Sequence, residues 1–235
     1  MKLLFSVLHA TRGRPEKANA TMKLWSQRAI APHAVQYILC HDADDETKLG
    51  LGIGTGFGNF RSVEFNGTGS APAWDYAAKA SLAEILIQAQ DDVFPPEGWD
   101  SLLEEAIKRE WWALDRDKTP FVIAVSDGYR KDDLLCTAIC NRKRYEQEGH
   151  FMFPGYISVF SDDDFSLRAY ADADSGRCKL IKAREIVFKH EHPYHTGGPQ
   201  DEGYRRQNSP KAYEVGQRLL ISRNLGAMLK WRTWI

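Results

Sequence analysis

Two adjacent carboxylates, Asp91-Asp92, follow the apolar run Ile85-Leu86-Ile87 and stand just ahead of Pro95-Pro96. Buried without partners they would be costly. As hard oxygen ligands they suit Mg²⁺ or Mn²⁺, ions that complete their shells with substrate phosphates. A solvated pair capping a turn before Pro95 accounts for the same two residues without a metal. His190 and His192, in His190-Glu-His-Pro, offer imidazole to such an ion, or are ordinary loop residues. A second acidic group, Asp162-Asp163-Asp164, offers a base for a hydroxyl proton. It would equally complement a helix N-terminus, since Phe165-Ser-Leu-Arg-Ala-Tyr170 reads as helical. Cations that could meet phosphate are Arg12 and Arg14, in Thr11-Arg12-Gly13-Arg14, and Lys79. Their bland readings are solvated charge before a helix and, for Lys79, a stem lying along an amphipathic one.

These groups follow apolar runs of strand length that alternate with helical patterns, the signature of a largely parallel sheet covered on both faces. Leu3 to Leu8 reads as the first strand, Val35 to Cys40 as the second and Arg61 to Phe65 as the third. Ile85 to Gln90 and Pro120 to Val125 follow, with Glu185 to Phe188 as a final strand. Pro15 opens a helix at its first turn, where a missing N–H costs nothing, and Ala18, Met22, Trp25 and Ala29 repeat at helical spacing. Ala73 onward and Trp99 to Glu110 are further helices, and Ser209 to Trp231 reads as one or two more. Thr11-Arg12-Gly13-Arg14, Asp42, Asn66 and Asp91-Asp92 then fall at the carboxyl ends of successive strands, where open α/β sheets place their ligand crevice. That convergence weighs more than any one motif. Trp74 and Trp99, at helical spacing, read as core rather than as sugar platforms, and one of Trp111-Trp112 must face away from the core.

Gly50 to Gly58 has glycine at every other position, yet no Gly-x-Gly-x-x-Gly register can be drawn through it. It reads as a mobile loop or a place of close backbone approach. With 235 residues and 43% apolar content the chain can bury the core of one large α/β domain. The expected division is a donor-binding part over about 1–128 and an acceptor-side part over about 129–235 of a single domain. A formal net charge of −1 gives no global electrostatic case for nucleic acid. The apolar start is too short for a signal core and is followed at once by charge, and no run approaches the ~18–20 apolar residues of a membrane span. Cys136 and Cys140 lack a second pair at zinc-site spacing. Reduced thiols, a soluble protein and a cytoplasmic setting are the expectation.

Ala73-Trp-Asp-Tyr-Ala-Ala-Lys79, running into Ile87-Gln-Ala-Gln-Asp-Asp-Val93 and Pro96-Glu-Gly-Trp-Asp100, resembles the donor-binding core of family-two, GT-A-fold glycosyltransferases. Thr11 to Pro15 resembles that family's opening loop, Ser161 to Arg168 its acidic acceptor-side motif, and His190-Glu-His-Pro with Asp201, Glu202 and Tyr204 its late metal-binding region. The likeness spans roughly residues 3 to 204. It departs in having Gln90-Asp91-Asp92 for a strict Asp-x-Asp, and Ser161 where the family commonly has Glu. The small size is nearest to soluble, phage-encoded members, for which a modified DNA base is one conceivable acceptor and a glycan another.

The resemblance implies an inverting transfer of a hexosyl or pentosyl group from a nucleotide sugar, a UDP-sugar by default, with Mn²⁺ or Mg²⁺ as cofactor. It implies metal at Asp92 with His190 or His192, and donor contacts from Thr11, Arg12, Arg14, Asp42, Asn66, Lys79 and Asp91. Asp162 comes first as base and Asp163 close behind. Rival readings are a sugar-nucleotide nucleotidyltransferase, which lacks a long glycine-rich phosphate loop after the first strand here, and a non-catalytic nucleotide-binding module of the same fold. A metal-dependent phosphoesterase is the weakest, since its clustered ligands are missing.

Overall fold

A computed structural model describes residues 3–52, 56–110, 118–198 and 200–230. The question posed by Trp111-Trp112, the centre of the glycine-rich segment and Trp231 lie outside them. Strand β1 (Phe5–Thr11) is followed by α1 (Pro15–Gln27), β2 (Val35–Asp42), β3 (Asn59–Phe65), α2 (Ser70–Lys79) and β4 (Ile85–Ala89). Then come β5 (Val93–Phe94), α3 (Trp99–Arg109), β6 (Phe121–Ser126), β7 (Ile139–Asn141), α4 (Arg142–Glu148) and α5 (Ser161–Asp174). The described chain ends with β8 (Lys179–Val187), β9 (Lys189–His190), α6 (Pro193–Thr196), α7 (Glu202–Gln207) and α8 (Pro210–Lys230).

Seven strands form one sheet in the order β3-β2-β1-β4-β7-β6-β8. Only β7 runs against the others, pairing antiparallel with both β4 and β6. The sheet takes strands from both halves of the sequence. Side chains alternate across it because successive Cβ atoms point to opposite faces. Val7, Ile85, Ile87, Phe121 and Ile123 meet Met22 and Trp25 of α1 and Trp99, Leu103 and Ile107 of α3 on one face. Leu8, Ile38, Leu86 and Val122 meet Ala73, Trp74 and Ala77 of α2, Leu167 of α5 and Leu220 of α8 on the other. Trp25 and Trp99 meet edge-on at 5.2 Å, and each indole N–H finds a backbone carbonyl, Val93 O and Trp25 O. That satisfies the polar end of two large buried rings.

β5, β7, β8 and β9 differ from the sequence reading, and β5 and β9 have only two residues each. β8 begins at Lys179, six residues ahead of the expected Glu185, and pairs parallel with β6 at the sheet's edge. Its buried Ile181, Ala183 and Ile186 change phase at a register shift, which conceals the alternation. β7 has three residues, too few for any periodic signal. α8 bends at Asn224, whose φ of −128° is not helical, so one merged helix stands where one or two were expected. Among the described residues no helix is long and apolar enough to cross a membrane.

Strand order reverses at β1, with β2 on one side and β4 on the other. The loops after β1 and β4 therefore diverge and open a crevice at the carboxyl ends of the strands.

Candidate active site

A cleft of about 1120 Å³ occupies that crevice. Thr11, Arg12, Arg14, Asp42, Asp91, Asp92, Asp162, Asp163, His190 and His192 all line it. Two expected donor contacts do not. Asn66 is exposed beyond β3, and Lys79 is 60% exposed at the end of α2, where it pairs with Asp75 one helical turn back at 2.9 Å. α2 is a ten-residue helix whose buried face lies on the sheet, so its last turn points away from the crevice.

On the wall formed at the ends of β1, β2 and β4 nearly every carboxylate is already matched. Asp42 accepts from Arg12 at 2.7 Å, and the same guanidinium grips Asp44. Those two acids raise the Arg12 pKa and make it a fixed cation rather than a free one. Asp45 accepts the Gly13 N–H at 2.8 Å, the Thr47 N–H at 2.9 Å and the Thr47 hydroxyl at 2.7 Å. Glycine at position 13, with φ +69°, takes the left-handed turn that this bond closes. Asp91, read from sequence as a donor contact, is buried. One of its oxygens lies 2.9 Å from His9 Nε2, while Thr11 donates to the other at 3.2 Å. His9 Nδ1 in turn meets the Tyr37 hydroxyl at 2.7 Å. Asp91 thus ties β1, β2 and the β4 turn together. Arg14 stands 3.6 Å from Asp91 and donates to Asp201, the cap of α7, at 2.6 Å.

Asp92 points the other way, into the cleft. The two-stranded ribbon β5–β9 places Val93 opposite His190, and Glu191 N–H bonds Asp92 O at 2.8 Å. His190 Nε2 is brought within 3.5 Å of an Asp92 oxygen. Burial pushes the Asp92 carboxyl up, but His190, His192 and Arg14 outweigh it and hold it below the ordinary range. The His190 N–H also bonds Asp127 O at 3.1 Å. Asp127 follows β6 directly and was not among the site residues expected from sequence. Its Oδ1 accepts two backbone N–H groups of the following turn, whereas its Oδ2 and His190 Nε2 are buried without a hydrogen-bond partner. His192 is committed in part, because its Nδ1 accepts from Tyr194 N at 3.3 Å to cap α6.

Among the described residues no three His, Cys, Asp or Glu side chains converge closely enough to hold a metal by themselves. An unpartnered imidazole nitrogen beside a carboxylate in a cleft nonetheless fits a hard divalent ion that takes its other ligands from phosphate and water. Asp92 and His190 are the residues that would hold it, with His192 adjacent, ring centroids 5.2 Å apart.

Across the cleft Asp162 and Asp163 open α5, where the helix dipole favours negative charge. Burial pushes the Asp162 carboxyl up, and burial together with Asp162 pushes Asp163 up to about 8. The third acid, Asp164, is spent on structure. It accepts from Arg223 at 2.9 Å, Asn224 at 2.5 Å and Tyr156 at 3.2 Å, pinning α8 to α5. That removes it from the three candidate bases.

No family model matches the chain, and no curated protein matches it in sequence. Solved structures do match its fold. S. aureus TarS, residues 1–349, is similar at a TM-score of 0.61 and 11% identity over 95% of this chain and 65% of that one. A mannosyltransferase from Pyrobaculum calidifontis in complex with GDP-Man and Mn²⁺ matches at 0.61 and 11%, over 98% and 65%. Glucosyl-3-phosphoglycerate synthase from Mycobacterium tuberculosis, with Mn²⁺, uridine-diphosphate and glucosyl-3-phosphoglycerate, matches at 0.56 and 11%, over 94% and 80%. The chain spans about 65% of the length of the first and second of these. The mostly parallel, helix-flanked sheet is thus of the GT-A type.

Proposed function

We propose that the chain is a divalent-metal-dependent glycosyltransferase that moves a sugar from a nucleotide-sugar donor, by default a UDP-sugar, to an acceptor hydroxyl with inversion. One observation carries this reading. The β5–β9 ribbon sets His190 beside Asp92 at the switch point, facing a protonatable acid pair across one cleft. Two of the similar structures hold a nucleotide or nucleotide sugar together with Mn²⁺.

In this reading Asp42, immobilised by Arg12, accepts from base or ribose. Arg14 exchanges Asp201 for donor phosphate. Asp92 and His190 would hold a divalent ion, which would supply positive charge to offset the diphosphate. Asp91 keeps Asp92 aimed by anchoring the turn to His9 and Thr11. The Asp162–Asp163 pair takes the acceptor proton as that oxygen attacks the anomeric carbon and the nucleoside diphosphate leaves. A pair whose proton is released near neutral pH suits a general base, and its two titration steps belong to the pair rather than to either residue. The four unpaired cysteines suit a reducing, cytoplasmic setting.

The test is the melting temperature with a panel of nucleoside diphosphates and nucleotide sugars, each with Mn²⁺, Mg²⁺ or EDTA, followed by assay of diphosphate release. A metal-dependent shift of one donor class and loss of turnover in Asp92→Asn are expected. Turnover in Asp92→Asn at the parent rate would remove the metal assignment. Absence of any nucleotide-induced shift would remove the transferase.

A further inference from the structure

The proposed chemistry leaves the rings of the cleft unused. Along the wall built from α6, α7 and α8, aromatic side chains follow one another. Tyr129 stacks flat against His195, centroids 4.9 Å apart and planes 1° apart. His195 lies 6.3 Å from His192, and His192 lies 5.3 Å from Tyr204. Tyr213 of α8 lines the same cleft as Tyr204, Asp162 and Asp163, and meets Phe160 edge-on at 5.5 Å. Tyr194, 80% exposed, stands edge-on to His195. All of these rings except Tyr129 line the cleft, and Tyr129 backs His195.

The end of the strip nearest the acid pair is strained. Phe160 has a φ of +68°, the one left-handed non-glycine residue among those described. A bulky residue there is an outlier that persists only where its surroundings impose it, often at ligand clamps. Gly216 of α8 supplies the room, since a Cβ at that position would stand 2.8 Å from the Phe160 ring and 3.1 Å from Val159 O. Strain at Phe160, immediately before Ser161, sets the direction in which α5 presents Asp162 and Asp163.

Two kinds of ligand use a row of rings. Single-stranded nucleic acid stacks its bases on aromatic side chains, but inside a basic groove that tracks its phosphates. This part of the cleft carries Asp127, Asp162, Asp163, Asp201 and Glu202 against Arg14, Arg130 and Arg206, and Arg14 and Arg130 are already paired with Asp201 and Asp132. Such a surface repels a polyanion. A neutral saccharide meets it well, laying C–H faces on the rings while its hydroxyls donate to carboxylates and exchange hydrogen bonds with amides such as Gln207 and Asn208. Resting on the transferase reading above, we propose that the acceptor is a neutral carbohydrate bound along the strip from Tyr194 through Tyr204 to Tyr213, which delivers one hydroxyl to the Asp162–Asp163 pair.

The test is calorimetric titration of the full chain with short linear oligomers of glucose, mannose and N-acetylglucosamine, beside a thymidine oligonucleotide and a DNA duplex, at low and high NaCl. At least one oligosaccharide is expected to bind with an affinity that salt leaves unchanged. Tyr194→Ala and Tyr213→Ala should each weaken it about tenfold or more, roughly one tenfold step in the dissociation constant, while Tyr213→Phe retains binding. Tyr194 is exposed enough that its removal keeps the test valid if Tyr213→Ala does not fold. Failure of every oligosaccharide overturns the inference, as does saccharide binding indifferent to both tyrosines. Preferred binding of either DNA, falling steeply with salt, overturns it in favour of a nucleic-acid acceptor. Melting with nucleoside diphosphate and Mn²⁺ separates the two levels. A metal-dependent shift without saccharide binding removes the carbohydrate acceptor alone, whereas absence of any nucleotide shift removes the transferase and the acceptor role with it.

Discussion

The two walls of the cleft hold carboxylates in opposite states. On the donor wall Asp42 and Asp44 share Arg12, Asp45 takes backbone and hydroxyl donors, and Asp91 sits between His9 and Thr11. On the wall proposed to meet the acceptor, Asp162 and Asp163 crowd each other. Matched carboxylates are held in one geometry by their partners, which suits a surface that must recognise a ligand in one pose. Crowded ones trade a proton with solvent near neutral pH, which suits a surface that must accept one. The same residue type is a scaffold on one side and a reagent on the other. Its neighbours decide which.

Breaking the reagent side should have the largest kinetic effect. Asp162→Asn or Asp163→Asn is expected to lower kcat by about 10²–10⁴, the range for a lost general base. The donor-induced rise in melting temperature should survive, because neither residue touches the donor wall. The member whose loss costs more is the base. Equal turnover in both single variants and in the parent would show that the acid pair plays no part in proton transfer.

Breaking the scaffold side should show in stability instead. Asp91→Ala leaves buried His9 Nε2 and the Thr11 hydroxyl without their partner, a loss of about 1–3 kcal/mol. For a chain of this size that corresponds to roughly 2–4 °C in melting temperature per kcal/mol. Asp163→Asn, by contrast, removes a charge that burial and Asp162 disfavour, so its stability at neutral pH should equal or exceed the parent's. If both substitutions destabilise equally, the contrast between the walls fails.

The contrast also has a pH signature. The Asp163 carboxyl is raised from 3.8 to about 8 by burial and by Asp162. Between those values the folded chain holds a proton that the unfolded chain releases, so folding stability falls as pH rises from about 4 to about 8. Turnover should climb over the upper part of the same window as the pair ionises. Denaturation at several pH values should show the slope in the parent and a flatter profile in Asp163→Asn. Stability that rises with pH across this window would assign the raised group elsewhere.

Sequence legibility follows the same division. β1, β2, β4 and β6 are buried on both faces, so each reads as a mainly apolar run, and the polar residues at their carboxyl ends point to the crevice directly. The acceptor wall depends on pairings that leave no local pattern. The ribbon that brings His190 to Asp92 is two residue pairs long, and Arg14 meets Asp201 across 187 positions. Three consecutive Asp residues look alike in sequence, and only the packing of Arg223 and Asn224 separates Asp164 from the other two. Tyr204 and Tyr213 sit on separate helices, so nothing in their spacing announces a strip of rings.

The smallest expected effect tests where the scaffold ends. Lys79 was expected at the donor because a basic residue on the helix before the acidic turn is part of the family pattern. Here its ammonium pairs with Asp75 at 2.9 Å outside the cleft, and Asp75 is separately fixed by the Phe151 N–H at 2.9 Å. Asp75 is buried but keeps the Phe151 N–H, and solvent screens the exposed ammonium, so the pair contributes little, about 1 kcal/mol or less. Lys79→Ala should therefore leave the donor KM unchanged and shift the melting temperature only slightly. A donor KM raised about tenfold with kcat preserved would mean that α2 turns its last residues toward the phosphates once donor is bound. The matched donor wall would then extend one helical turn further than the cleft described above.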